Sequence, residues 1–265
     1  MNFLNNNKTI IMGVLNITPD SFYSGNQYLN NLNDISYKDL SFADIVDIGA
    51  ESSRPGAQAL SEEEEILRLF KFNHHKLKDK ILSIDSYKYN VIKHALENGF
   101  NLINDITAGG KDNCNIKLAN EYNVPILLMH MQGNPKNMQN KPTYKNLIDE
   151  LMFFFDSKIN YALKVGLPLN KIIIDPGIGF GKTKNDNFKI IKNLNQFKSL
   201  KVPIMIGVSR KSFLQSNDDI PLDRLETSLS VLSLAVFNGA DIVRVHDVYK
   251  THKVLNVIDR IKNQL

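Results

Sequence analysis

Eight apolar runs along this 265-residue chain each give way to a polar or charged residue: Asn16, Asp47, Asp85, Asn104, His130, Asp175, Ser209 with Lys211, and Arg244 with His246. Any one of them alone reads as a capping or loop residue, because strand ends are polar by default. Eight together read as the rim of a site. Their chemistry falls into two sets. Asp85, Asn104 and Asp175 accept from N–H groups, and the asparagine also donates, which suits a planar heterocycle with an amino-amide edge. Arg54, Arg244 and His246, with Asn16, suit phosphate oxygens, since arginine offers a planar fork of donors. No His/Cys cluster has zinc spacing and no Ser–His–Asp signature occurs, which argues against zinc chemistry and acyl transfer.

The most concentrated of these stretches is IIIDPGIGFGKT, residues 172–183. Its β-branched residues fit a strand buried on both faces of a parallel sheet. Asp175 stands where that cover ends, and the glycines beyond it let backbone come close to a ligand. GFGKT also resembles the end of a phosphate loop, GxxxxGK[ST]. The leading glycine would have to be at 176, where Pro176 offers no N–H to a phosphate. Asp175 is therefore the informative residue, and Lys182 is left without a role.

Holding such residues on one rim takes a repeated unit. The expected strands are 9–17, 43–48, 81–85, 100–103, 125–130, 172–175, 202–206 and 240–245. Ser61 and Glu64 form a capping box that opens a helix to about residue 78. The acids at 62–65 complement its dipole. Further helices are expected up to about 98, with Gly99 as the stop, and at 115–122, 144–165, 223–238 and 249–262. This alternation argues for α/β with a parallel sheet, and eight units in this length for a (β/α)8 TIM barrel, a single domain over residues 1–265. A doubly wound open sheet is the alternative. It would carry a glycine-rich turn after its first strand, where this chain has Asn16-Ile17-Thr18-Pro19.

Composition narrows the class. Apolar residues at 43% and charged residues at 23% are those of a globular protein with a large core. No apolar run approaches the roughly 20 residues a bilayer demands, so no membrane role is expected. The N-terminus MNFLNNNKTI lacks the features of a signal peptide. The one cysteine, Cys114, suits a reducing cytoplasm. The net charge of +4 comes from scattered lysines and makes no nucleic-acid patch.

Seven motifs, in order, resemble dihydropteroate synthase: MGVLNITPDSF (12–22), DIGAESSRPGA (47–57), INDITAG (103–109), LLMHMQGNPKNMQ (127–139), IIIDPGIGFGKT (172–183), GVSRKSF (207–213) and VRVHDV (243–248). They span nearly the whole chain. Pterin-binding methyltransferases share the barrel and the Asp/Asn site, but the SRK loop and the RVHDV end point to the synthase. The resemblance implies that 4-aminobenzoate attacks the exocyclic methylene of 6-hydroxymethyl-7,8-dihydropterin diphosphate, in folate synthesis, at a sulfonamide target. It implies that Asp85, Asn104, Met129, Asp175 and Lys211 hold the pterin, with Asp85, Asp175 and Lys211 catalytic. Asn16, Arg54, Arg244 and His246 would take the diphosphate, with Asn16 also reaching Mg²⁺. Ser53, Pro55, Phe180, Ser209 and Lys211 would shape the 4-aminobenzoate pocket. Asp20, Phe22 and Ser52 would lie on mobile loops, and the chain would form a homodimer through its late helices. Ser53 stands where the family usually has threonine, Ala50 replaces a common glycine, and DSYK (85–88) is a variant turn. A barrel that binds pterin without catalysis is the competing reading; it would lack the diphosphate ligands.

Overall fold

Each expected apolar run becomes a strand, and the reason is its alternation of two buried faces. The strands are β1 (Ile10–Asn16), β2 (Ile45–Gly49), β3 (Ile81–Asp85), β4 (Leu102–Asp105), β5 (Ile126–Met129), β6 (Ile172–Asp175), β7 (Met205–Ile206) and β8 (Ile242–Val245). The helices between them are α1 (Glu62–Lys71), α2 (Tyr89–Glu97), α3 (Cys114–Glu121), α4 (Leu147–Lys164), α5 (Lys184–Lys192), α6 (Leu225–Phe237) and α7 (Val248–Lys262). The structure is a computed structural model that describes residues 8–17, 39–51, 60–71, 77, 79–135, 137–215 and 220–264.

All pairings are parallel, in the order β6-β5-β4-β3-β2-β1-β8-β7. A bridge between Ile174 and Ile204 brings the two ends of that order together. Because that bridge closes an otherwise unbroken order, the sheet is a barrel, and the doubly wound alternative is excluded. Odd and even positions on each strand point opposite ways. One set, with Ile11, Val46, Ile84, Ile103, Leu128 and Ile174, packs outward against apolar helix residues such as Phe155, Leu232 and Leu255. The other set fills the barrel interior with Met12, Ile45, Leu102, Leu127, Ile173, Met205 and Ile242. Two residues further along, the same inward parity reaches Asp47, Asn104, Asp175 and Arg244. The floor is apolar and the mouth is polar.

Several boundaries shift by one to three residues, and three of the shifts have a visible cause. β7 is shorter than 202–206 because Pro203 has no N–H for the ladder, although its carbonyl still accepts from Ile174 N at 3.0 Å. β4 runs on to Asp105, since Asn104 and Asp105 find partners inside the barrel wall. α4 starts at Leu147 rather than 144, because Glu150 reaches back to the N–H groups of Lys145 and Asn146, at 2.7 and 3.0 Å. The helix expected from Ser61 is described as far as Lys71.

Candidate active site

The mouth has two halves. On one, β2, β3, β4 and β8 bring charged groups together. Arg244 donates through Nε to Asp47 Oδ2 and through Nη2 to Asp85 Oδ2, each at 2.6 Å. Asn104 Nδ2 donates to the same Asp47 oxygen at 2.8 Å. Gly49 leaves the room that Asp85 occupies: a Cβ there would stand 3.4 Å from its carboxyl. Burial pushes the Asp85 carboxyl up to about 7, with Arg244 pulling against it and Asp47 adding to it.

The other half is the loop after β6. Gly177 N donates to Asp175 Oδ1 at 2.8 Å. Burial raises the Asp175 pKa and Lys211 opposes the rise. The next four carbonyls are each taken by a different side chain. Lys211 Nζ donates to Ile178 O, Gln139 Nε2 to Gly179 O at 2.6 Å, Lys182 Nζ to Phe180 O at 2.9 Å, and Tyr144 OH to Gly181 O at 2.6 Å. This loop lies backbone to backbone on the one after β5. A Cβ on Gly177, whose φ is +71°, would fall 1.9 Å from His130 O. Lys211 Nζ sits 4.8 Å from the centre of the Phe180 ring, and burial lowers its pKa to about 8.

Lys182, the residue that mimicked a phosphate loop, is 2% exposed. It also donates to His130 O at 3.3 Å and stands 3.1 Å from His130 Nδ1. Burial and this neighbour hold His130 down at about 3, so its ring is neutral. At the start of α5 a capping box between Thr183 and Asp186 satisfies the N–H groups of those two residues.

The remaining expected residues fall as follows. Asn16 ends β1 opposite Gly49, and Met129 ends β5 opposite Asp175. Ser209 Oγ accepts from His246 N at 3.3 Å and lies 3.1 Å from His246 Nδ1. The structure thus joins a residue expected at the aminobenzoate to one expected at the diphosphate. Asp20, Phe22, Ser52, Ser53, Arg54 and Pro55 lie outside the described residues. The residues flanking 52–59 are clamped together: Glu51 Oε2 accepts from Leu60 N at 2.7 Å, and Lys88 Nζ donates to Leu60 O at 2.9 Å.

That clamp corrects the reading of the acidic helix start. Glu65 is 1% exposed and pairs with Lys88 at 2.8 Å, so it does more than complement a dipole. Ser61 caps Glu64 N at 3.2 Å, but the Glu64 carboxylate turns to Arg68 four residues on. Two further partners went unassigned in the sequence. Arg210 grips Asp247 through two N–H groups at 2.8 and 2.7 Å, tying the loop after β7 to that after β8. Asp47, a rung of the polar ladder with no further role, proves to be the centre of the charged half. Its signal was parity, since it shares the inward face with Ile45.

Residues 12–246 match the model of a family described as pterin binding enzyme. A dihydropteroate synthase from Clostridium beijerinckii is 40% identical over 263 residues, covering 96% of this chain and 94% of its own. A solved Yersinia pestis dihydropteroate synthase with a sulfonamide drug complex superposes with a TM-score of 0.87 at 34% identity, over 97% of this chain and 95% of that one. A Xanthomonas albilineans dihydropteroate synthase with 4-aminobenzoic acid gives a TM-score of 0.87 at 31% identity, over 96% and 93% of the two chains. The chain, a parallel barrel with acids and an arginine at its mouth, belongs to the pterin-binding enzymes and, within them, to the dihydropteroate synthases.

Proposed function

We propose that the mouth of this barrel joins 6-hydroxymethyl-7,8-dihydropterin diphosphate to 4-aminobenzoate, giving 7,8-dihydropteroate and diphosphate in folate synthesis. The observation that carries this reading is the inward row at the strand ends. Asp85, Asn104 and Asp175 offer acceptors, with Arg244 and Lys211 as the cations beside them.

Asp85, Asn104 and Asp175 hold the amino-amide edge of the pterin, Met129 packs on it, and Lys211 closes its far side. Arg244 and His246, with Asn16 and Arg54, take the diphosphate. Phe180 and Lys211 border the aminobenzoate, with Ser53, Pro55 and Ser209. In the transfer, the bond between the methylene carbon and the diphosphate oxygen breaks, and its electron pair leaves with diphosphate. The amine nitrogen supplies the new bond to that carbon and loses a proton to solvent. An aromatic amine is neutral at pH 7, so no general base is called for. If the old bond breaks first, the positive charge left on the pterin faces Asp85 and Asp175, fixed in a low-dielectric setting where they act strongly.

The donors fit a Mg²⁺ ion bound chiefly through substrate. Asn16 offers one amide oxygen at the end of β1. Among the described residues no group of three His, Cys, Asp or Glu is arranged to hold a metal. Mg²⁺ commonly keeps most of its water and meets protein through one or two ligands plus substrate phosphates. Bound there, it would neutralise charge on the departing diphosphate.

A homodimer through α6 and α7 is supported by their outward apolar residues. Leu234 and Phe237 on α6, and Val257 and Ile261 on α7, are each more than half exposed, and the two helices pack side by side. Sedimentation in solution tests it. The lone cysteine, Cys114, supports a reducing cytoplasm as the location. Among the described residues, no helix is long and apolar enough to cross a membrane.

The direct test mixes the protein with the pterin diphosphate, Mg²⁺ and 4-aminobenzoate and looks for dihydropteroate. Product is expected; none, from folded protein, removes the assignment.

A further inference from the structure

Asp47 is the carboxylate of the inward row that no substrate role above uses. It lies on β2 between Val14 of β1 and Ser83 of β3, fully buried. The next inward position on its strand is Gly49, beside the Asp85 carboxyl. Asp47 Oδ2 nevertheless collects two donors from two other strands, Asn104 Nδ2 at 2.8 Å and Arg244 Nε at 2.6 Å. Its second oxygen is buried and has no hydrogen-bond partner among the described residues.

An asparagine amide can sit either way round, and this neighbour permits only one. An ionised carboxylate accepts and cannot donate, so a flipped amide would set oxygen against oxygen. With Nδ2 engaged by Asp47, Asn104 directs its carbonyl oxygen away from Asp47, an acceptor for a ring N–H. The same carboxylate takes Nε of Arg244 while Asp85 takes Nη2, which fixes the plane of the guanidinium at two points. One buried group thus sets the polarity of one ligand and the heading of another.

We propose that Asp47 is a positioning residue for the transfer: it presents Asn104 to the pterin as an acceptor and holds Arg244 in line for the diphosphate. The proposal rests on the functional reading above. Asp47→Asn is nearly isosteric and, with its amide oxygen in the place of Oδ2, keeps an acceptor for both donors but not the negative charge. In this variant KM for the pterin diphosphate rises roughly tenfold or more, because the hydrogen bonds to both ligands lose the carboxylate's charge. KM for 4-aminobenzoate stays within about twofold, since its expected contacts do not touch Asp47. Combined with Asn104→Ala, the losses fall short of additive. A purely structural Asp47 would lower kcat or the yield of active protein and leave both KM values alone; that result overturns the proposal, as does strict additivity.

Should Asp47→Asn fail to fold, Asn104→Leu approaches the same pair from the other side. It is titrated calorimetrically with 6-hydroxymethylpterin and, separately, with inorganic diphosphate. Pterin binding falls by roughly tenfold and diphosphate binding holds, because Asp47 still aims Arg244. Equal losses, or none, overturn the proposal. Wild-type protein that binds neither probe would sink the functional reading itself. Probes held equally well by wild type and by Asp47→Asn would sink the positioning role alone.

Discussion

The two halves of the mouth are held by different physics. The half on β2, β3, β4 and β8 is a set of buried ions, in which Arg244 serves Asp47 and Asp85 at once. The half after β6 is a strip of backbone, with the carbonyls of residues 178–181 each met by a separate donor side chain. In the first, Asp47 and Asp85 share one cation, and removing it leaves both buried carboxyls without that partner. In the second, the restraint is spread over donors from separate segments, and what is indispensable is room for the backbone.

Arg244→Met puts the sharpest strain on this contrast. It leaves Asp47 and Asp85 without their cation, and breaking a buried pair costs about 3–5 kcal/mol. Unfolding in urea at pH 7 measures it, and activity falls about 1,000-fold or more as a charge-stabilising donor is lost. Gly177→Ala comes next, on the other half. Its Cβ would meet a backbone carbonyl at 1.9 Å in a left-handed conformation, so stability drops by about 3 kcal/mol.

A smaller effect, visible without mutation, is the pH profile. Asp85, held up to about 7 by burial, is ionised only above that value. Lys211, lowered to about 8 by burial, is charged only below that one. kcat/KM should therefore rise as pH passes about 7 and fall as it passes about 8, a narrow bell. A plateau from pH 6 to 9 would show that neither group's charge matters. Smallest is Tyr144→Phe, which frees one of the carbonyls at a cost of about 1 kcal/mol. A loss as large as that of Arg244→Met would erase the contrast between the halves.

The barrel was legible because its strands carry apolar runs, as in IIID of β6, and because strand number and chain length agree. Proline at 203 and the asparagine and aspartate at 104 and 105 moved strand ends by two or three residues, through contacts no local pattern encodes. Asp85, Asn104 and Asp175 were legible as a group from chemistry alone. The role of Asp47 was not, since its two partners stand 57 and 197 residues away in the chain. Lys182 was left without a role for a different reason. It sits in a loop whose letters resemble a phosphate motif, while its ammonium is turned inward onto His130 and Phe180.

The most direct test of the central claim, that buried carboxylates at the mouth stabilise a pterin cation during transfer, is the pair of numbers given by Asp85→Asn. Turnover is measured with saturating substrates, and diphosphate affinity by calorimetry. The account predicts that kcat falls by about 100-fold while diphosphate binding changes by no more than a few-fold, because the lost charge acts only as the cation forms. Equal losses in both would contradict it.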